Sequence, residues 1–324
     1  MVWLEVPRRQ KYIFKTKNMS LLVVGSVAFD AIETPFGKTD KIIGGAATFI
    51  SIASSLFSTK VKLVGVVGGD FPKADIQMLQ TKGVDTEGLQ IKENEKSFFW
   101  SGRYHNDMNS RDTLVTELNV LADFDPIIPA SYQDVQFVML GNLAPAIQRI
   151  VLERLDHKPK LVVMDTMNFW MDIALDDLKE TLKLVDVLSI NDEEARQLSG
   201  EYSLVKAAAV IKAMGPKTLI IKKGEHGALL FGNDGAEDKI FFAPALPLAD
   251  VFDPTGAGDT FAGGFIGYLA AHNDTSFSSM RKAIIYGSAL ASFTVEAFGT
   301  ERLQSLTKVE LDARVGQFAE LVKF

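Results

Sequence analysis

The sequence predicts an α/β protein, a three-layer α/β/α sandwich carrying a small β-sheet lid. Short apolar, partly β-branched runs alternate with helix-length segments from Leu21 to Phe231, the rhythm of a mostly parallel sheet covered on both faces. Between Leu89 and Thr116 that rhythm gives way to an aromatic, short-period stretch, Ser97 to Tyr104, with polar turns around it; this reads as β structure outside the main sheet. The 324 residues, 47% hydrophobic and 23% charged, suffice for a large core.

Leu21–Val24 is a buried strand ending at Gly25, and Asp30 follows as a loop carboxylate. Gly37-Lys38-Thr39 looks like the end of a P-loop, but Ile32 occupies the place of its first glycine and excludes one. Gly44-Gly45 opens a helix from Ala46 to Phe57. Lys62–Val67 is the next strand, with a helix running to about Lys82. After the aromatic stretch, Phe137–Leu140 and Leu161–Met164 are strands around a helix from Ala146 to Leu155. Asp165, Asn168, Phe169 and Trp170 stand at the C-terminal end of the second, where ligands gather in open α/β sheets. Val187–Ile190 runs into Asn191-Asp192-Glu193-Glu194, whose spacing fits a capping box. Thr218–Lys222 and Ala228–Phe231 flank the turn Lys223-Gly224-Glu225-His226-Gly227, in which Lys223 can supply positive charge. Phe261–Ala271 and Ser278–Glu296 are helices rich in small residues.

The loop before Phe261 holds the chemistry. In Asp253-Pro254-Thr255-Gly256-Ala257-Gly258-Asp259, two glycines let successive backbone N–H groups converge at a helix start, where the unpaired donors and the helix dipole favour a phosphate-like anion. Asp259 is an ordinary helix cap on one reading. On the other it is a base that accepts a hydroxyl proton while the amides of Gly256, Ala257 and Gly258 hold the charge on a transferring phosphoryl group. The misplaced third glycine and the late position in the chain argue against a dinucleotide-binding loop.

The run Asp253 to Phe265, D-P-T-G-A-G-D-T-F-A-G-G-F, closely resembles the C-terminal signature of the ribokinase-like (PfkB) carbohydrate kinases, and the resemblance extends over residues 19–324. It implies a ribokinase-like fold with lid strands near 31–43 and 89–116, and ATP-dependent transfer of the γ-phosphate to a hydroxyl of a sugar or sugar-like molecule, with Asp259 as base. It further implies substrate contacts at Asp30, Gly44 and Gly45. Asn191 and Glu194 would support Mg²⁺ and phosphate, Glu194 through water. Lys223 and Gly224 would lie along the nucleotide, Ser288 on the helix beside adenine, and K⁺ near Asp253 and Thr255. A homodimer through the lid is also implied.

The sequence departs from the family where an asparagine usually follows the glycine pair. Phe49 stands there, and it is expected to meet the substrate through an aromatic face. Trp170 replaces a basic residue after Asp165, and Arg103 and Asn168 are further expected substrate contacts. Aromatics in the pocket favour the alternative of a nucleoside kinase, since rings stack on bases. A non-catalytic ligand sensor and a dehydrogenase are the remaining readings.

Composition limits the partners. A net charge of −7 argues against nucleic acid and anionic membrane surfaces. No cysteine is present, which excludes disulfides and thiol chemistry, and the four histidines form no H-E-x-x-H site. No apolar run reaches membrane-spanning length, so the cytoplasm is the expected location. Residues 1–18 carry five basic side chains against Glu5, without the apolar stretch of a secretory signal. They are expected to be a flexible extension, with Met19 as the natural start.

Overall fold

A computed structural model describes residues 19–57 and 59–323. The extension expected at 1–18 lies outside the described residues. In chain order the elements are β1 (Ser20–Val24), β2 (Ala28–Thr34), β3 (Gly37–Lys38), β4 (Ile42–Gly44), α1 (Ala46–Ser55), β5 (Lys60–Gly68), α2 (Lys73–Thr81), β6 (Val84–Lys92), β7 (Phe98–Tyr104) and β8 (Arg111–Glu117). They continue with β9 (Phe137–Leu140), α3 (Pro145–Glu153), β10 (Leu161–Asp165), α4 (Asn168–Ile173), α5 (Leu175–Leu182), β11 (Val187–Asn191), α6 (Asp192–Ser199), α7 (Leu204–Ala213), β12 (Thr218–Lys222), β13 (Ala228–Asp234) and β14 (Glu237–Ala243). The last helices are α8 (Ala257–His272), α9 (Phe277–Thr294), α10 (Glu301–Ser305) and α11 (Lys308–Leu321).

Nine strands form the main sheet, in the order β14-β13-β12-β11-β10-β9-β1-β5-β6. The run from β6 to β12 is parallel throughout, and β13 is antiparallel to both its neighbours. The parallel strands inside the sheet are buried on both faces, which is why they read as unbroken apolar runs. Alternate residues feed two cores. Leu21, Val23, Val163, Val187 and Ile220 pack with α1, α8 and α9; Leu22, Val24, Val162, Leu188, Leu219 and Ile221 pack with α3, α5, α6 and α7. The order reverses at β1, whose neighbours are β5 and β9, so the crevice of the fold opens at the C-terminal ends of these strands.

The second sheet is the lid, β3-β2-β7-β8, with β4 paired to β2. Two expectations are corrected here. Asp30 is not on a loop: it lies within β2, opposite Trp100 of β7. Leu89–Lys92 is not lid: it completes β6, the edge strand of the main sheet, and the second lid segment starts at Phe98. Polar residues on the exposed side of β6 hide its strand character from a search for apolar runs. Of the lid strands, β8 is the outer edge and is exposed along its length, the edge that a lid-mediated homodimer would have available.

Helix α8 is seated by small residues. A Cβ on Gly263 would lie 2.6 Å from the Ile50 carbonyl oxygen of α1, and one on Gly264 would lie 2.8 Å from the Gly287 Cα of α9. Backbone-close packing on both sides fixes the axis of α8 and so the position of its N-terminus. Gly264→Val is expected to destabilise the fold by about 1–3 kcal/mol through overpacking, read as a lower denaturant midpoint with an unchanged slope. A midpoint equal to that of the wild type would show that α8 has room to shift.

Candidate active site

The same alternation that builds the core places polar groups at the crevice. Asp165, Asn191 and Lys222 end β10, β11 and β12, each two or four residues on from the apolar residues that face α8. They therefore emerge in the layer of α8, at the sheet end where its N-terminus lies. Gly256 caps that helix with φ 75°, a left-handed conformation that suits glycine, and a Cβ there would strike the Phe49 ring at 2.4 Å. The ring of Phe49 is the floor on which the loop rests. It is 1% exposed, which corrects the expectation that it meets the substrate.

Asp253 ties the loop. One of its carboxylate oxygens accepts the Thr255 N–H at 2.8 Å and the other accepts the Gly299 N–H at 2.8 Å. Ala257 donates its N–H to the Pro254 carbonyl at 3.2 Å, so it is not one of the free amides expected there. The amides of Gly256 and Gly258 have no protein acceptor among the described residues. Asp259 follows in the first turn of α8. Burial and the nearby Asp165 push its carboxyl up to about 7, against Lys222 and Arg111, which pull it down. A carboxyl poised there is suited to take up a proton near neutral pH.

Asp30 faces the same space from the lid. It is buried beside Gly44, where a Cβ would lie 1.9 Å from its carboxylate, and the Gly45 amide bonds to it. Gly45 caps α1 with φ 90°. Burial first, then the charges of Asp253 and Asp259, raise Asp30 to about 7. At the junction of β11 and α6, Asn191 and Glu194 make a complete capping box: the Asn191 N–H donates to Glu194 Oε2 at 2.7 Å and the Glu194 N–H to Asn191 Oδ1 at 2.7 Å. Glu194 is buried and raised to about 7, mainly by desolvation, with Lys222 opposing. Gly224 is exposed with φ 54°, and Ser288 is half-buried on α9.

Several side chains stand elsewhere than expected. Arg103 lies on the lid face away from the site and pairs with Glu33 at 2.8 Å; it is one residue out of phase with the inward face. Its neighbour Tyr104 points in instead, its hydroxyl accepting the Thr255 hydroxyl at 3.2 Å. Asn168 is exposed at the start of α4, its Oδ1 taking the Phe169 N–H at 3.2 Å. Trp170 donates to Asn142 Oδ1 at 2.9 Å. Lys223 sits on the turn, its N–H bonded to the Gly227 carbonyl, and the lysine that enters the site is Lys222. Lys222 Nζ lies 3.3 Å from Asp165 Oδ2, and a Cβ on Gly258 would be 3.2 Å from that nitrogen. Counting alternate residues from Ile220 would have selected Lys222 over Lys223. The lid closes over this turn as well, with Asn109 Oδ1 2.9 Å from where a Gly224 Cβ would lie.

An amide loop at a helix start, an adjoining carboxyl poised near neutrality and a second buried carboxylate under a β lid are the parts of a phosphotransfer site. The sequence model described as pfkB family carbohydrate kinase matches residues 18–306. The chain belongs to this family. Its members transfer phosphoryl groups to hydroxyls. The kinase is 34% identical over 254 residues to the cytidine kinase of Thermococcus kodakarensis, a match covering 76% of this chain and 87% of that one. Its fold is that of the nucleoside kinase of Methanocaldococcus jannaschii, with TM-score 0.73, 21% identity, and coverage of 93% and 99% of the two chains. The aminoimidazole riboside kinase of Salmonella enterica, solved with aminoimidazole riboside and an ATP analogue, gives 0.71, 23%, 91% and 99%. No helix among the described residues is long and apolar enough to cross a membrane.

The raised carboxyls make stability depend on pH with a definite sign. A folded-state value near 7 for Asp30 means that the fold holds this proton more tightly than the unfolded chain does. The stabilisation is fully present below the unfolded value and is lost as pH rises through 7. Asp30→Asn removes the penalty, so it is expected to raise the melting temperature on the order of a few degrees at pH 8 and by less at pH 5. A gain equal at both pH values, or none, would show that Asp30 is not strained by burial.

Proposed function

We propose that the protein is an ATP-dependent nucleoside kinase, with cytidine-like pyrimidine nucleosides the first class to test. The observation that carries the chemistry is Asp259, raised to about 7 at the α8 N-terminus beside the free amides of Gly256 and Gly258. The nucleoside class is supported by the 34% identity to a cytidine kinase over most of both chains. Matches of 34% to ribokinases exist over shorter segments, 128 and 127 residues, and keep sugars in the test.

Asp30, held by the Gly45 N–H, accepts and orients the substrate hydroxyls, since a carboxylate takes two such bonds readily. Asp259 takes the proton of the attacking hydroxyl. The amides of Gly256 and Gly258 and the α8 dipole hold the charge that develops on the transferring group. The site fits a nucleotide: the exposed Gly224 turn, the unpaired amides and Lys222 are the donors that a polyphosphate needs. Residues Asn191, Glu194, Gly224, Thr255 and Ser288 would hold ATP and its Mg²⁺, with Lys223 on the turn beside them. When bound, Mg–ATP supplies the phosphoryl group and a shielding of its charge. Among the described residues no group of three or more His, Cys, Asp or Glu could hold a metal ion. Mg²⁺ would then be kept largely by phosphates and waters, with Glu194 acting through a water. K⁺ beside Asp253 and Thr255 would share oxygens that already receive two amides.

A panel of nucleosides and sugars with coupled detection of ADP is expected to give turnover with a pyrimidine nucleoside. Turnover only with free sugars would replace the substrate class. Asp259→Asn is expected to lower kcat by about 10²–10⁴-fold. The kcat/KM profile of the wild type should fall on the acid side near pH 7, where Asp259 takes up its proton. An Asp259→Asn variant with full turnover would remove Asp259 as the base. A rate that rises in K⁺ over Na⁺ would support the ion site.

A further inference from the structure

We propose that Lys222 is a catalytic residue: its ammonium group, anchored by the Asp165 carboxylate, contacts the phosphoryl group in transfer and neutralises the charge on its oxygens. This rests on the kinase reading of the same site. Lys222 ends β12 on the face that turns to α8, and its nitrogen stands next to the Gly258 Cα, at the amides where the anion would sit. The side chain is largely enclosed, 17% exposed, and Asp165 is 9% exposed.

Its surroundings keep it charged and aimed. Asp165 from β10, Glu194 from α6 and Asp259 from α8 all face it and hold its proton on, against the cost of burial. Asp165 is itself fixed: its Oδ1 accepts the Thr166 N–H at 3.0 Å, and Gln148 Nε2 donates to its carbonyl at 3.0 Å. A buried ion pair adds little to stability, and an apolar pair of the same volume would serve as well or better. Placed beside the unpaired amides at the crevice, the ammonium is instead a preorganised charge of the kind that stabilises a phosphoryl transition state. Lys222 exchanges no proton. The O–H of the acceptor breaks toward Asp259, its oxygen forms the bond to phosphorus, and the bond to the leaving phosphate oxygen breaks with its electron pair.

Two observables separate this role from a structural one. Lys222→Met is expected to lower kcat by about 10²-fold or more with little change in the KM of the nucleoside. The acid limb of its kcat/KM profile should move to higher pH. Asp259 is faced by Asp165, Lys222, Arg111 and Asp30, and removing Lys222 leaves it with less positive charge. Lys222→Arg should recover part of the loss. The double variant Lys222→Met, Asp165→Asn removes both charges and keeps the volume, so it tests catalysis without an unpaired buried carboxylate. Wild-type kcat in the double variant, or Lys222→Met with wild-type kcat and an unmoved acid limb, would overturn the inference alone. A wild-type chain inert toward every nucleoside and sugar would overturn the kinase reading and the inference together.

Discussion

Five carboxyl groups converge on one poorly hydrated crevice: Asp30, Asp165, Glu194, Asp253 and Asp259. Burial raises every one of them above its ordinary range. Such a cluster persists only if the surrounding fold supplies compensating positive groups or enough stability to bear the strain. The compensation is largely backbone. Peptide N–H groups reach Asp30 from Gly45, Asp253 from Thr255 and Gly299, Asp165 from Thr166, and Glu194 from Asn191. Lys222 is the fixed ammonium among them. Much of the architecture follows from holding these donors in place.

The starts of α1 and α8 both open into the crevice. They can do so only because α8 lies backbone-close to α1 and α9, and because Phe49 fills the space below Gly256. Substituting an apolar ring for a polar side chain at position 49 thus changes the foundation of the loop and leaves its open side alone. The loop gains a rigid floor, which preorganises its amides, and preorganised donors need no rearrangement when charge develops.

What could be read from the sequence was what is local. The alternation of strands and helices follows from apolar runs buried on two faces. The loop from Asp253 to Asp259 is contiguous, so its glycines and carboxylates announce themselves together. The capping box at Asn191 and Glu194 is likewise a spacing of three. Errors arose where phase or distance decides. Lys222 and Lys223 differ by one residue and so by one face of the sheet, and Arg103 and Tyr104 differ in the same way on the lid. Tyr104 meets Thr255 across 151 positions, a contact that no local pattern encodes. Local spacing makes Ala257 a free donor, whereas its turn onto Pro254 depends on the conformation of the whole loop.

The lid brings the electrostatics and the chemistry into one event. Tyr104 touches the loop before α8 and Asn109 reaches the Gly224 turn, so one hairpin spans both. Arg111 stands opposite Tyr104 in register, its guanidinium 5.9 Å from the Trp100 ring centre, and its charge lowers both Asp259 and Glu194. The lid therefore sets a cation beside carboxyls that burial raises, and that cation opposes the rise. Desolvation outweighs Lys222 and Arg111 at Asp259, so its carboxyl stays above the ordinary range beside two cations. One arrangement thus sets the proton affinity of Asp259 from two sides, by burial at the start of α8 and by the lid strand that carries Arg111.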